Sequence, residues 1–104
     1  MSSQLESTIQ AAVVLWARQH GFLTIKVHER YQLGWPDRLF IAPSGECRWI
    51  EFKKPGQYPK PIQVRIHKEL AQRNHRVYTV TTRHESIQLL QDALDTPRIP
   101  GRGD

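Results

Sequence analysis

Between two strand-like segments, Arg38 to Ala42 and Cys47 to Lys53, stands the link Pro43-Ser44-Gly45. No other feature constrains the chain as tightly. Proline presets the first corner of a type I turn, and glycine takes the left-handed position that closes a three-residue hairpin. Ala42 and Glu46 then face each other at the base of the loop. Counting outward in step from that pair brings Asp37 opposite Glu51, with Cβ atoms ~5 Å apart. Side chains alternate along a strand, so Lys53 shares the face of Glu51. The turn chemistry alone therefore predicts two carboxylates and one ammonium gathered on one face of a sheet.

Two directly opposed carboxylates repel unless something stands between them. A divalent cation does this: Mg²⁺ takes oxygen ligands, commonly one or two carboxylates with waters and substrate phosphates. Lys53 neutralising both acids on an exposed face is the alternative. It wins for an arbitrary Glu-x-Lys, because short motifs carry little information by themselves.

Charge favours the first reading. The chain of 104 residues has 15 Lys and Arg against 10 Asp and Glu, a net charge of +5. The basic residues are spread along the sequence, which suits a polyanionic partner. No apolar run reaches the roughly 20 residues of a membrane helix. The N-terminus, MSSQLESTIQ, lacks the basic and apolar regions of a secretion signal. Cys47 stands alone, so no internal disulfide can form, and no Cys and His spacing suits zinc. A reducing cytoplasm is the expected compartment, with neither a membrane nor a small-molecule cofactor as partner.

The element order follows from periodicity. A first helix is predicted from about Gln4 to His20, with Leu5, Ile9, Ala12, Val13 and Trp16 on one face, Ser3 as N-cap and Gly21 as stop. Phe22 to Glu29 alternates as a strand. After the hairpin, KPGQYPKP reads as a loop, and Pro61 opens a helix to about Arg73 with Ile62, Ile66 and Leu70 as its apolar set. RVYTVTT is a fourth strand. A last helix covers about His84 to Leu94, carrying Ile87, Leu90, Ala93 and Leu94. The expectation is one α/β domain over residues 1–95 and a flexible tail over 96–104. The order α-β-β-β-α-β, then a C-terminal helix, implies a crossover and a mixed sheet flanked by helices.

Taken together, Glu6, Gly34-Trp35-Pro36-Asp37, Glu51-Phe52-Lys53 and Gln63 resemble the motif frame of the PD-(D/E)xK nuclease superfamily, specifically its virus-type replication-repair nuclease (VRR-NUC) branch. The likeness runs to about Thr82 and includes the restriction-endonuclease-like order of elements. Members this short resemble stand-alone phage or prophage proteins, which implies a bacterial host's cytoplasm. Trp35 replaces the smaller residue expected between glycine and proline.

The resemblance implies an endonuclease dependent on Mg²⁺ or Mn²⁺ that hydrolyses phosphodiester bonds in branched DNA, Holliday junctions foremost, with flap cleavage or DNA binding without cleavage as alternatives. Asp37 and Glu51 would be metal ligands, joined by the Phe52 carbonyl, and Lys53 the catalytic lysine. Gln63 would lie near the scissile phosphate. Glu6 has two readings: an acid reaching the metal, directly or through water, or the partner of Ser3 in a capping box. Gln63 also reads as an ordinary polar residue of a first helical turn. Lys26, Arg38, Lys54, Lys60, Arg65 and Lys68 are the expected DNA contacts, although Lys54 points away from Lys53. Arg65, His67 and Lys68 read as a solvated helix face. Tyr58 and Trp35 are the stacking candidates. Symmetric cutting of a junction needs two sites, so a homodimer is expected, with Trp16, Trp49 or Tyr78 as aromatic anchors.

Overall fold

The computed structural model describes residues 2–28 and 30–97, and the side chains from residue 6 onward within that range. Helix α1 (Ser2–Gln19) leads into strands β1 (Leu23–Lys26), β2 (Arg38–Ile41) and β3 (Cys47–Phe52). Helix α2 (Pro61–Gln72), strand β4 (Val77–Val80) and helix α3 (Arg83–Asp95) follow. The four strands form one sheet in the order β1-β2-β3-β4. The first three pair antiparallel and β4 runs parallel to β3. Helix α2 is the crossover that a parallel pair requires. This is the mixed α/β sheet that the sequence predicts.

The hairpin forms in the expected register: Leu39 faces Trp49 and Ile41 faces Cys47. The Gly45 N–H donates to the Ala42 carbonyl at 2.8 Å, and the Ala42 N–H to the Glu46 carbonyl at 2.8 Å. Gly45 has φ +94°, the conformation for which the turn needs glycine.

One face of the sheet is apolar. Phe40, Ile50, Phe52 and Val80 meet Val13, Val14 and Ala17 of α1 and Leu90 and Ala93 of α3. Helix α3 is capped by Thr82, whose side chain accepts from the Glu85 N–H at 3.1 Å. Arg48 belongs to this packed face and is withdrawn from any ligand. Its side chain is fully buried, paired with Glu46 and, at 3.2 Å, with Asp92 on α3.

Several boundaries depart from expectation. Strand β1 stops at Lys26. The Val27 N–H still reaches the Asp37 carbonyl, but the chain then turns at His28, whose carbonyl accepts from Tyr31 and Gln32. Helix α1 begins at Ser2, so Ser3 lies inside its first turn and is not the cap. The capping box between Ser3 and Glu6 falls on a side chain outside the described residues, as does the tail from residue 98 onward. Trp49 is no interface anchor on the monomer. It is 7% exposed, and its ring N–H donates to His75 Nδ1 at 3.0 Å. Trp16 stacks on His20 at 3.9 Å, and it and Tyr78 lie against the core. The exposed large apolar side chains lie elsewhere, among them Leu23 and Ile25 on the edge strand β1. No helix among the described residues is long and apolar enough to cross a membrane.

Candidate active site

The opposite face of β3 is buried too, but beyond Trp49 it turns polar. Glu51 is 3% exposed and Lys53 7%, flanking Phe52, whose side chain points into the core. A cleft of about 340 Å³ opens over this face. Glu6, Asp37, Glu51, Phe52, Lys53 and Gln63 all line it, together with Trp35, Gln57 and Lys60. Six residues from four separate segments of chain thus converge on one concavity.

Asp37 stands one residue before β2. Its Oδ2 accepts the Phe52 N–H at 2.8 Å. Pro36 precedes it. Continuing the β2–β3 register by two residues sets Pro36 opposite Phe52, and proline has no N–H to give to the ladder. The carboxylate of Asp37 takes the Phe52 N–H, and Pro36 offers nothing to the Phe52 carbonyl. The bond from Phe52 holds the acid beside β3, and the proline leaves the Phe52 carbonyl without a ladder donor on that side.

Glu51 is tied down from α2. Gln63 sits in the first turn of that helix, where its Oε1 accepts the Lys60 N–H at 2.8 Å and its Nε2 donates to Glu51 Oε2 at 3.2 Å. One amide therefore caps a helix and orients a carboxylate, as the reading of Gln63 as a first-turn polar residue allows. Lys53 Nζ lies 3.5 Å from the same Glu51 oxygen. The loop before Asp37 is docked on this helix through Gly34. It has φ +82°, and a Cβ there would fall 2.7 Å from both the side chain and the carbonyl of Ile62. Only glycine allows that approach.

The reading of α2 as a solvated basic face is corrected at His67. Its side chain is 15% exposed, with Nε2 4.0 Å from Glu51 Oε1. Burial and, second, the charge of Lys53 hold its pKa below the ordinary value, which favours the neutral imidazole. The inward face of the helix is Gln63, His67 and Leu70, and Ile62 is 39% exposed. The one sequence signal for His67 was its spacing of four from Gln63, which stacks both side chains on one face.

The expected DNA contacts divide among four places. Lys60 lines the cleft. Arg65 and Lys68 line a separate groove on the outer side of α2. Lys26 and Arg38 open onto the α1 side of the sheet. Lys54 lies in the turn after β3, where its N–H donates to Gln57. Tyr58 is 85% exposed, whereas Trp35 packs edge-on against Trp49 at 5.5 Å.

Among the described residues no group of three or more His, Cys, Asp or Glu side chains could hold a metal ion. The donor set instead suits a hard cation that keeps most of its waters, for which two carboxylates and a carbonyl suffice. A carboxylate offers about four lone-pair sites, so the bond from Phe52 is compatible with coordination by Asp37.

No family model matches the chain. A curated protein named "Putative nuclease p44", from Acyrthosiphon pisum secondary endosymbiont phage 1, is 35% identical over 72 residues, covering 69% of this chain and 77% of that protein. A solved structure described as a VRR_NUC domain superposes with a TM-score of 0.74 at 26% identity, over 83% of this chain and 94% of the other. With a restriction-endonuclease-like fold, a phage relative across most of its length and a structural counterpart of nearly the same extent, the chain belongs to the VRR-NUC family of nucleases.

Proposed function

We propose that this protein is a divalent-metal-dependent, structure-selective DNA endonuclease that resolves four-way junctions as a homodimer. The observation that carries the reading is the cleft in which Asp37, Glu51 and Lys53 meet, with Gln63 bonded to Glu51. Glu51 and Lys53 are nearly sealed from solvent and Asp37 is partly buried beside them, and buried charges of this kind add little to stability that apolar residues would not add as well. Chemistry is the reason to keep them.

Asp37, Glu51 and the Phe52 carbonyl would hold Mg²⁺ or Mn²⁺. Such an ion supplies a Lewis acid at the phosphoryl oxygen and acidifies water. Lys53 sets a positive charge where negative charge develops on the phosphate or on the attacking water. Gln63 holds Glu51 in one orientation, which spares the carboxylate a rearrangement during the reaction. Glu6, on the cleft's α1 side, is the further acid able to bind the ion's waters. A closed two-fold dimer sets two such clefts in fixed relation, as paired cuts in a junction require.

The test is incubation with labelled four-way junction, flap, duplex and single strand, each in Mg²⁺, Mn²⁺ and chelator, with light scattering on the protein alone and with DNA. Paired nicks in the junction, absent in chelator, and a dimer in solution are expected. A monomer that cuts flaps and leaves unpaired nicks in junctions would make it a flap nuclease. DNA bound and never cut in either metal would make it a binding module.

A further inference from the structure

Lys26 and Arg38 do not face the cleft. They line a second groove, of about 420 Å³, between α1 and the β1–β2 edge, and Arg18 of α1 joins them there. No acidic residue lines this groove, and none of the three cations has an ion pair among the described residues. The contrast with Arg48, neutralised by Glu46 and Asp92, is direct.

Arg38 is nonetheless held in place. Its Nε donates to Gln10 Oε1 at 3.0 Å and its Nη1 to Thr24 Oγ1 at 3.3 Å. Both acceptors are neutral, so they aim the guanidinium without cancelling its charge. A polar, aimed, half-buried cation beside a second cation is an arrangement that an anion would relieve, and the arginine fork matches a phosphate.

The groove also adjoins the cleft. Ser7 and Gln10 line both concavities, one on either side of the first turns of α1. Asp37 and Arg38 are consecutive residues, one lining the cleft and the other the groove.

We propose that Arg18, Lys26 and Arg38 form a phosphate subsite for DNA that grips the backbone of a strand beyond the scissile phosphate, so that one strand passes from the cleft across α1 into this groove. The inference rests on the nuclease reading of the cleft, and it names a contact surface that the cleft residues do not supply. Contacts to phosphate position a nucleic acid and carry no base preference, which suits selection by shape.

The test is duplex binding in chelator as a function of salt, for the wild type, Arg18→Gln, Arg18→Gln/Lys26→Gln and the charge-preserving Arg18→Lys. Arg38 is left intact because it ties Gln10 to Thr24. Each lost phosphate contact lowers the slope of log K against log salt by about 0.9. The double variant is expected to lose about 1.8 from that slope, and Arg18→Lys to keep most of it. An unchanged slope in the double variant overturns the proposal. So does saturable stabilisation by inorganic phosphate that Arg18→Gln abolishes while the DNA slope stays, since the groove would then be a free-phosphate site. Cleavage is scored separately in Mg²⁺. A groove-dependent slope in a wild type that cuts nothing supports the subsite and fails the nuclease reading. A wild type that cuts DNA with a slope indifferent to the groove fails the subsite alone.

Discussion

Strand β3 is buried on both faces, and the two faces obey different rules. Toward α1 and α3 it presents Ile50 and Phe52, 0% and 4% exposed, in an apolar core. Toward α2 it presents Glu51 and, one residue past its end, Lys53, 3% and 7% exposed, with Gln63 and His67 above them. Burying apolar surface is favourable at about 25 cal/mol per Å². Burying an ion pair removes two charges from water, and its mutual attraction often does no more than offset that loss. The first face accounts for why the chain folds. The second is tolerated by the fold and matters only if something binds there. Local choices that oppose stability inside an otherwise consistent fold are the signature of a site.

Substitutions on the two faces should therefore dissociate stability from activity. The largest effect is expected at Asp37→Asn. The amide oxygen can still accept the Phe52 N–H, so the fold persists, but a charged oxygen donor is lost from the cleft. DNA cleavage should fall by about 10³-fold or more, the scale of removing a group that acts at developing charge. The melting temperature should hold or rise. Near wild-type cutting would remove Asp37 from the site, and a large fall in melting temperature would make the polar face structural.

The mirror experiment is Phe40→Ala on the core face. Phe40 is 0% exposed and packs in the cluster that joins the sheet to α1 and α3. A loss of about 3–5 kcal/mol is expected from the deleted ring and the cavity it leaves. Below the lowered melting temperature, turnover per folded molecule should be close to wild type. A stability loss under about 1 kcal/mol would mean that the core is not where the apolar contacts say it is.

Gln63→Ala comes third. It breaks the link from the α2 cap to Glu51 while leaving every proposed ligand in place. Outer-shell partners of this kind are typically worth 10–100-fold in metal affinity or activity. Activity that recovers at high Mn²⁺ would assign the loss to ion binding. A stability loss with full activity would reduce Gln63 to a cap.

The core face and the hairpin were legible in the sequence for definite reasons. Gly45 is required by a positive φ, and Pro43 and Gly45 fixed the register that brings Asp37 and Glu51 together. Helix α2 was less legible. Ile62, Ile66 and Leu70 repeat every four residues, and a helix of 3.6 residues per turn drifts by about 40° at each such step. The face it buries begins at Gln63 and runs through His67, because it closes over charges and not over a core. Hydrophobic periodicity cannot find a polar buried face. Nor could it find the burial of Arg48, whose partner Asp92 is 44 residues away, or separate Lys26 and Arg38 from the cleft, since that depends on which side of the sheet α1 occupies.

The smallest effect expected on the polar face is a pH dependence of stability through His67. Burial and two charged neighbours bear on it. Burial and Lys53 disfavour its protonated form, in that order. Glu51, with Oε1 4.0 Å from its Nε2, pulls the other way. The net direction is a folded pKa below the ordinary 6.5. The unfolded chain then binds a proton that the folded chain refuses, and stability rises with pH wherever the unfolded state holds more protons. Stability from this group is complete above 6.5 and is lost on acidification from there down through the lowered folded value. Urea midpoints of the metal-free protein, followed from about pH 8 to about pH 5, should fall more for the wild type than for His67→Gln. Parallel curves would mean that the imidazole titrates as if in water. A wild type that gains on the variant as pH falls would mean that Glu51 outweighs burial and that the pair is charged in the folded state.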